Sequence, residues 1–152
     1  MGDYDQAENY FSMAAKICQR VGNRLIGAYV SANRGSIAIK QGNYAQAFDL
    51  LAEAIQVLQE MGDKEDVILC FEPLAFMALE QNLPIRAARL LGASEALRKE
   101  LGVIRSQPLQ VDFEKCVASI HSQLDEVRFE IAWSEGRAMT YEQAIASALD
   151  RS

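Results

Sequence analysis

The stretch that decides how the chain is read is Gly42-Asn43-Tyr44-Ala45-Gln46-Ala47-Phe48-Asp49-Leu50-Leu51-Ala52-Glu53-Ala54-Ile55-Gln56-Val57-Leu58-Gln59-Glu60-Met61-Gly62-Asp63. Ala47, Phe48, Leu50, Leu51, Ala54, Ile55, Leu58 and Met61 recur at the i, i+3, i+4, i+7 spacing of an amphipathic helix. Gly62 follows the last of them, where a helix ends on a residue that tolerates positive φ. Asp63 can then cap the next helix. The spacing predicts a helix over Tyr44 to Met61, closed and reopened within two residues.

The same frame returns every 40 residues. Ala7, Ala47 and Ala87 are equivalent, as are Gly22, Gly62 and Gly102. Between them fall Phe11, Leu51 and Leu91, then Ala14, Ala54 and Ser94, then Ile17, Val57 and Leu97. Gly2-Asp3-Tyr4-Asp5-Gln6 precedes the first Ala, and Gly42-Asn43-Tyr44-Ala45-Gln46 the second. The third copy, Asn82-Leu83-Pro84-Ile85-Arg86, keeps the turn character but loses Gly and Tyr. In the other half of the unit Gly35 matches Ala75, Ala38 matches Ala78 and Gln41 matches Gln81. The unit is therefore two helices of roughly 17 residues joined by tight turns. Helices approach to about 8–10 Å only where contact side chains are small. Gly35 against Ala47, and Ala75 against Ala87, would supply such contacts. Pro73 interrupts the predicted fourth helix and would either bend or divide it.

After Gly102 the register fades. Ser106-Gln107-Pro108 can open a helix from about Leu109 to Leu124. Asp125 can cap a shorter helix containing Val127, Phe129, Ile131, Ala132 and Trp133, which Gly136 would end near Arg137. Thr140-Tyr141-Glu142-Gln143 reads as a capping box, with Ala144, Ile145, Ala148 and Leu149 inward. A terminal unit must cover the open apolar face of the last repeat, and Trp133 is the expected anchor.

With Gly-x-Tyr-x-x-Ala, a small residue twelve positions before that Ala and large apolar residues four after it, these units resemble tetratricopeptide repeats of a long variety. The usual period is about 34 residues, which leaves HEAT-like or armadillo-like pairs as the alternative. The fold expected is all-α, a right-handed α-solenoid of tetratricopeptide-like pairs, about eight helices in all. Repeats are placed at 2–41, 42–81 and 82–121, with a helical cap at 122–152, as one domain. Ala87-Ala88-Arg89-Leu90-Leu91-Gly92-Ala93-Ser94-Glu95-Ala96-Leu97-Arg98 and Ala132-Trp133-Ser134-Glu135-Gly136-Arg137-Ala138-Met139-Thr140 carry a second resemblance. They are similar to a pair of blocks near the C-terminus of large bacterial signalling proteins, LuxR-type or maltose-regulator-like. Those proteins carry a regulatory NTPase module, a helical array and a DNA-binding, cyclase or kinase domain. The resemblance spans about Leu83 to Leu149 and implies a piece of a multidomain regulator, its sensory or scaffolding arm. In such families this region holds no catalytic residue.

Composition sets the outer limits. Of 152 residues, 50% are hydrophobic and 24% charged, a folded rather than disordered balance. Fifteen Lys+Arg against 21 Asp+Glu give a net charge of −6, which argues against direct nucleic-acid binding. No apolar run is long enough to cross a bilayer, and no signal peptide opens the sequence. Cys18, Cys70 and Cys116 lie far from any paired spacing and are expected as buried free thiols, suited to a reducing cytoplasm. His121 alone builds no metal cluster, and a surface or half-buried structural role is expected of it. No GxxxxGK[ST], HExxH or GxSxG motif occurs, so no catalytic, cofactor-binding or metal-binding residues are assigned and no cofactor is expected. Asp63-Lys64-Glu65-Asp66 reads as a solvated helix cap. Arg86, Arg89, Arg98, Lys99 and Arg105 read as a charged face turned mostly to solvent, with docking of an acidic partner segment as the sharper alternative.

The function expected is protein–protein interaction without catalysis. Stacked helix pairs make a surface that holds a peptide or a partner helix, and the first helix of each pair would line its inner side. Tyr29, Ser36 and Lys40 in one pair, and Leu69, Glu72, Phe76 and Glu80 in the next, are the expected contacts. Leu69 and Phe76 are expected as exposed apolar anchors. The partner is a protein or peptide, or other domains of the same chain. The alternative is an intramolecular sensor that binds a small inducer or its own NTPase module. Residues 2–22 match the second half of a repeat, which leaves their face open to self-association.

Overall fold

The computed structural model of the chain describes residues 3–151, and Gly2, the turn residue of the first copy, lies outside them. Nine helices occur among the described residues: α1 (Asp3–Val21), α2 (Arg24–Lys40), α3 (Tyr44–Glu60), α4 (Lys64–Leu69), α5 (Phe71–Glu80), α6 (Pro84–Leu101), α7 (Gln107–Gln123), α8 (Glu126–Arg137) and α9 (Tyr141–Ala148). The chain divides into two compact units, Met1–Pro73 and Leu74–Ser152.

The turns carry the periodicity. Gly22, Gly42, Gly62, Asn82 and Gly102 all have positive φ, between 60° and 77°, and stand 20 residues apart. After each, the next amide reaches back five residues: Asn23 N to Cys18 O, Asn43 N to Ala38 O, Asp63 N to Leu58 O, Leu83 N to Ala78 O and Val103 N to Arg98 O, at 2.8–2.9 Å. These are Schellman bonds, which satisfy carbonyls left open at a helix end. Asn82 takes the left-handed position where the third copy lacks Gly, as the short amide side chain allows. Asn23 and Asp63 then cap the following helix through their side chains, onto Ile26 N at 3.1 Å and Asp66 N at 3.2 Å.

Pro73 divides the predicted fourth helix, since α4 ends at Leu69, the residue four before it whose carbonyl the proline ring would meet and could not satisfy. The predicted fourth helix breaks at Cys70, and Pro73 sits in the first turn of α5. There its missing N–H falls among amides with no intrahelical partner. This break makes nine helices of the expected eight.

In the first unit α2 packs against α1 on one side and α3 on the other. A Cβ placed on Gly35 would stand 2.8 Å from the Leu51 side chain and 3.3 Å from the Ala47 carbonyl oxygen. The expected small contact between α2 and α3 is thus present, and it lets Ala47, Leu51, Ala54 and Ile55 close to zero exposure. Each fully buried Leu or Ile contributes roughly 1.5–3 kcal/mol of transfer free energy. Arg34 bridges α2 to Glu8 of α1 at 2.7 Å, and Gln41 donates to Asp5 at 2.7 Å.

In the second unit α6 packs along α8 rather than along its neighbour α7. The two backbones meet at glycines: a Cβ on Gly92 would fall 2.5 Å from the Trp133 carbonyl oxygen, and one on Gly136 would overlap the Arg89 carbonyl. Helix α8 ends at Arg137, as the sequence suggests, but its cap is Ala138 and not the glycine. Gly136 lies inside the helix as a buried contact residue. Trp133 is half-buried and stacks on Phe129 at 5.3 Å, while Phe113 of α7 meets it edge-on at 6.3 Å. Asp125 caps α8 through Arg128 N at 2.9 Å, and Thr140 and Gln143 form the expected capping box on α9.

Candidate interaction faces

On α2 the spacing i, i+4, i+7, i+11 places Tyr29, Asn33, Ser36 and Lys40 along one row. Tyr29 and Ser36 are half-buried, Asn33 and Lys40 exposed. The Ser36 hydroxyl donates to the Ala32 carbonyl at 3.2 Å, and the Asn33 amide donates to the Tyr29 carbonyl at 2.8 Å. Asn33 is absent from the sequence-based set. Only the helical row identifies it, because Asn within a helix carries no signal of its own.

Tyr29 is committed to the fold as well as to the face. Its hydroxyl donates to Asp63 Oδ2 at 3.1 Å, at the start of α4. Its pKa is raised well above the ordinary phenol value, first by hydrogen bonding to Asp66, then by burial, then by the bond to Asp63. Asp66 is itself raised, chiefly by burial and with Asp63 beside it, against the lowering pull of Tyr29. The Cys70 thiol is pushed up to about 12 by burial, then by the Asp66 and Asp63 carboxylates. The expected solvated cap is therefore half-buried at Asp63 and Asp66, because Tyr29 covers it. Among the described residues no group of three or more His, Cys, Asp or Glu could hold a metal ion.

The second set is differently placed. Leu69, the last residue of α4, is half-buried rather than exposed, and Glu72 is only 3% exposed. In the second unit Phe76 is likewise half-buried, and Glu80 is exposed at the end of α5. A break at Cys70 resets the helical phase, so a straight-helix register misplaces Glu72.

The basic cluster departs most from expectation. Arg98 is 3% exposed, and the Arg105 side chain 7%. Arg105 donates to Glu95 at 2.6 Å and lies over the Phe113 ring at 3.7 Å, which pins the segment between α6 and α7. Arg86 donates to the carbonyls of Ser147 and Ala148 at 3.2 and 3.0 Å, closing the C-terminal end of α9. Burial pulls its pKa below the usual value, with Asp150 opposing. Arg89 pairs with Glu135 of α8, at 40% and 45% side-chain exposure, so that pair contributes little, about 0–1 kcal/mol. Lys99 is exposed. These arginines hold the second unit together instead of forming a solvent face, and their long stems let them cover apolar neighbours. His121 is exposed and stacks on Phe129 at 3.8 Å, a structural placement. Cys18, Cys70 and Cys116 are buried thiols outside any disulfide. No helix among the described residues is long and apolar enough to cross a membrane.

Comparison with known proteins agrees with this architecture. Residues 1–60 match the tetratricopeptide repeat family model. The chain is 29% identical over 123 residues to proteins named as HTH-type transcriptional regulators in Mycobacterium bovis and in two strains of Mycobacterium tuberculosis. The match covers 81% of this chain and 13% of each relative, so the chain spans a small part of the length of the curated relatives it matches. No solved structure matches. Residues 1–60 are thus tetratricopeptide-like, and the all-helical chain has likeness to one region of such regulators.

Proposed function

We propose that the chain is a non-catalytic protein-interaction module, the regulatory arm of a multidomain bacterial transcription or signalling regulator working in the cytoplasm. The match of residues 1–60 to the tetratricopeptide repeat carries this reading. Helix pairs of this kind present a preformed surface that a peptide or helix can occupy at little ordering cost. In the first unit the partner contacts are Tyr29, Ser36, Lys40 and Leu69, of which Lys40 is the most accessible, while Glu72, 3% exposed, drops out of the set; in the second they are Phe76 and Glu80. The likeness to HTH-type regulators supports the regulatory setting, and the net charge of −6 argues for DNA contact elsewhere.

Affinity capture with the wild-type chain, set beside Tyr29→Ala and Phe76→Ala variants of unchanged helical content, tests this reading. Loss of the captured partner from either variant is expected. Full retention by both would remove these faces from consideration.

The second reading is intramolecular: the array binds a small inducer or an NTPase module of the same chain. The match to only 13% of each relative's length favours it, since most of such a protein would lie outside the array. The isolated chain then binds no nucleotide, and a nucleotide-dependent rise in its Tm would count against it.

A further inference from the structure

Three acidic side chains meet where α2 reaches the start of α4. The Tyr29 hydroxyl of α2 donates to Asp63 Oδ2 at 3.1 Å and also hydrogen-bonds to Asp66, in the first turn of α4. Asp63 Oδ1 accepts from the Asp66 amide at 3.2 Å, and the two carboxyl groups lie within hydrogen-bonding reach of each other. All three residues are half-buried. The groups around them add little positive charge. Glu65 acts on Asp66 with a further negative charge, and Lys64 is exposed. The Cys70 thiol donates to the Asp66 carbonyl at 3.4 Å and stays protonated beside the carboxylates. On α3, which packs against α4, Glu60 is paired with Arg24 of α2, and Asp49 and Glu53 lie with it on the exposed side of that helix.

Proton counting decides what such a cluster does. One hydroxyl carries one proton and serves one carboxylate at a time. With Asp63 and Asp66 both ionised, two negative charges stand together with a single phenolic donor between them. When one proton is added, Asp66 becomes a donor to Asp63 while Tyr29 keeps its own bond, and the repulsion is gone. Burial holds Asp66 above the ordinary carboxylate value; Tyr29 pulls it down, and Asp63 and Glu65 push it up. Its folded-state value therefore lies above the unfolded one. The stabilising contribution is complete below the ordinary value of about 3.9 and is lost as pH rises through the folded value. Helix α4 has only six residues, too few to persist unaided, so its attachment depends on contacts such as these.

We propose that Tyr29, Asp63 and Asp66 are a proton-operated clasp between α2 and α4: one proton taken up by the two carboxyl groups fastens α4, and its release loosens α4 while α2 and α3 stay folded. The clasp acts within the first unit and does not depend on either candidate face binding a partner.

Hydrogen exchange followed by nuclear magnetic resonance on the full chain, between pH 4.5 and 7.5, is the test. Each rate is divided by the intrinsic rate at the same pH, which leaves the protection of the amide. Protection at Val67 and Ile68 is expected to fall as pH rises, by up to about tenfold per pH unit while Asp66 titrates. Protection at Leu90 and Leu91 of α6 should stay level. Asp66→Asn puts a neutral donor in the place of the protonated acid, and is expected to give a level profile that exceeds the wild type at pH 7.5. Asp63→Asn removes the facing charge yet keeps a residue that caps well, and should flatten the profile too. Glu65→Gln, at an exposed position, should keep the wild-type slope. A wild-type profile at Val67 and Ile68 that is level would overturn the proposal. So would an Asp66→Asn chain that keeps the wild-type slope, or a Glu65→Gln chain that loses it.

Discussion

The Cα of Gly92 in α6 stands so close to the Trp133 backbone in α8 that a Cβ would fall 2.5 Å from the Trp133 carbonyl oxygen. Arg89 and Gly136 repeat the contact one turn along, in reverse order, so the two helices cross antiparallel at a pair of glycines. The two sequence blocks that resemble a regulator's C-terminal region are therefore the two sides of one helix–helix contact. Their resemblance is to a packing unit.

Gly136→Ala should destabilise the chain, because the added methyl meets backbone that cannot swing aside. Overpacking of this kind costs about 1–3 kcal/mol. Gly92→Ala should behave alike. Urea unfolding of both, set beside a Gly22→Ala control, separates packing from backbone strain: Gly22 has no atom within 4 Å of an added Cβ, only its positive φ of 72°. Equal losses at all three positions would refute the close-contact account.

Arg86→Gln should loosen α9. The wild-type guanidinium donates to the carbonyls of Ser147 and Ala148, and a hydrogen bond from a charged donor contributes about 1.5–3 kcal/mol. Hydrogen exchange should quicken in Tyr141–Ala148 while α2 and α3 keep their protection. Unchanged exchange in α9 would mean that Ala144, Ile145 and Ala148 hold it by burial alone.

Tyr29 should ionise later than an ordinary tyrosine. Its folded-state pKa lies above the unfolded one, so its stabilising contribution is complete below the ordinary phenol value near 10 and is lost as pH rises beyond it. An ultraviolet titration should show a late step that Tyr29→Phe removes. Stability of the wild type, but not of the variant, should gain an added downward slope above about pH 10.

Cys70 should be inert to thiol reagents in the native chain at about pH 8, below the ordinary thiol value. Its pKa of about 12 leaves almost no thiolate, and it is 3% exposed. With Cys18→Ser and Cys116→Ser in place, labelling of Cys70 should proceed only as fast as the chain opens. Labelling that is quick in native buffer and indifferent to urea would contradict the burial.

How far the sequence alone reached follows the range of its signals. Caps, left-handed turns and the apolar period act over three to five residues, and a single chain displays them directly. Gly62 and Asp63, the capping box at Thr140 and Gln143, and even the Gly35–Ala47 contact were legible, the last because a repeat aligns residues that pack together. Burial of a charge is a different kind of fact. Arg98 and Arg105 look like any helix-face cations until α7 and its neighbours enclose them, and Arg86 finds its carbonyls 61 and 62 residues away. Gly136 reads locally as a stop and proves to be a contact, because what it meets is the backbone of Arg89, far back along the chain. The same holds for the candidate faces: α2 kept its row, while the break at Cys70 turned Glu72 inward. The sequence by itself determined an all-α array of capped helix pairs. Which side chains those helices enclose was decided only by tertiary packing, since desolvation depends on partners that no local spacing encodes.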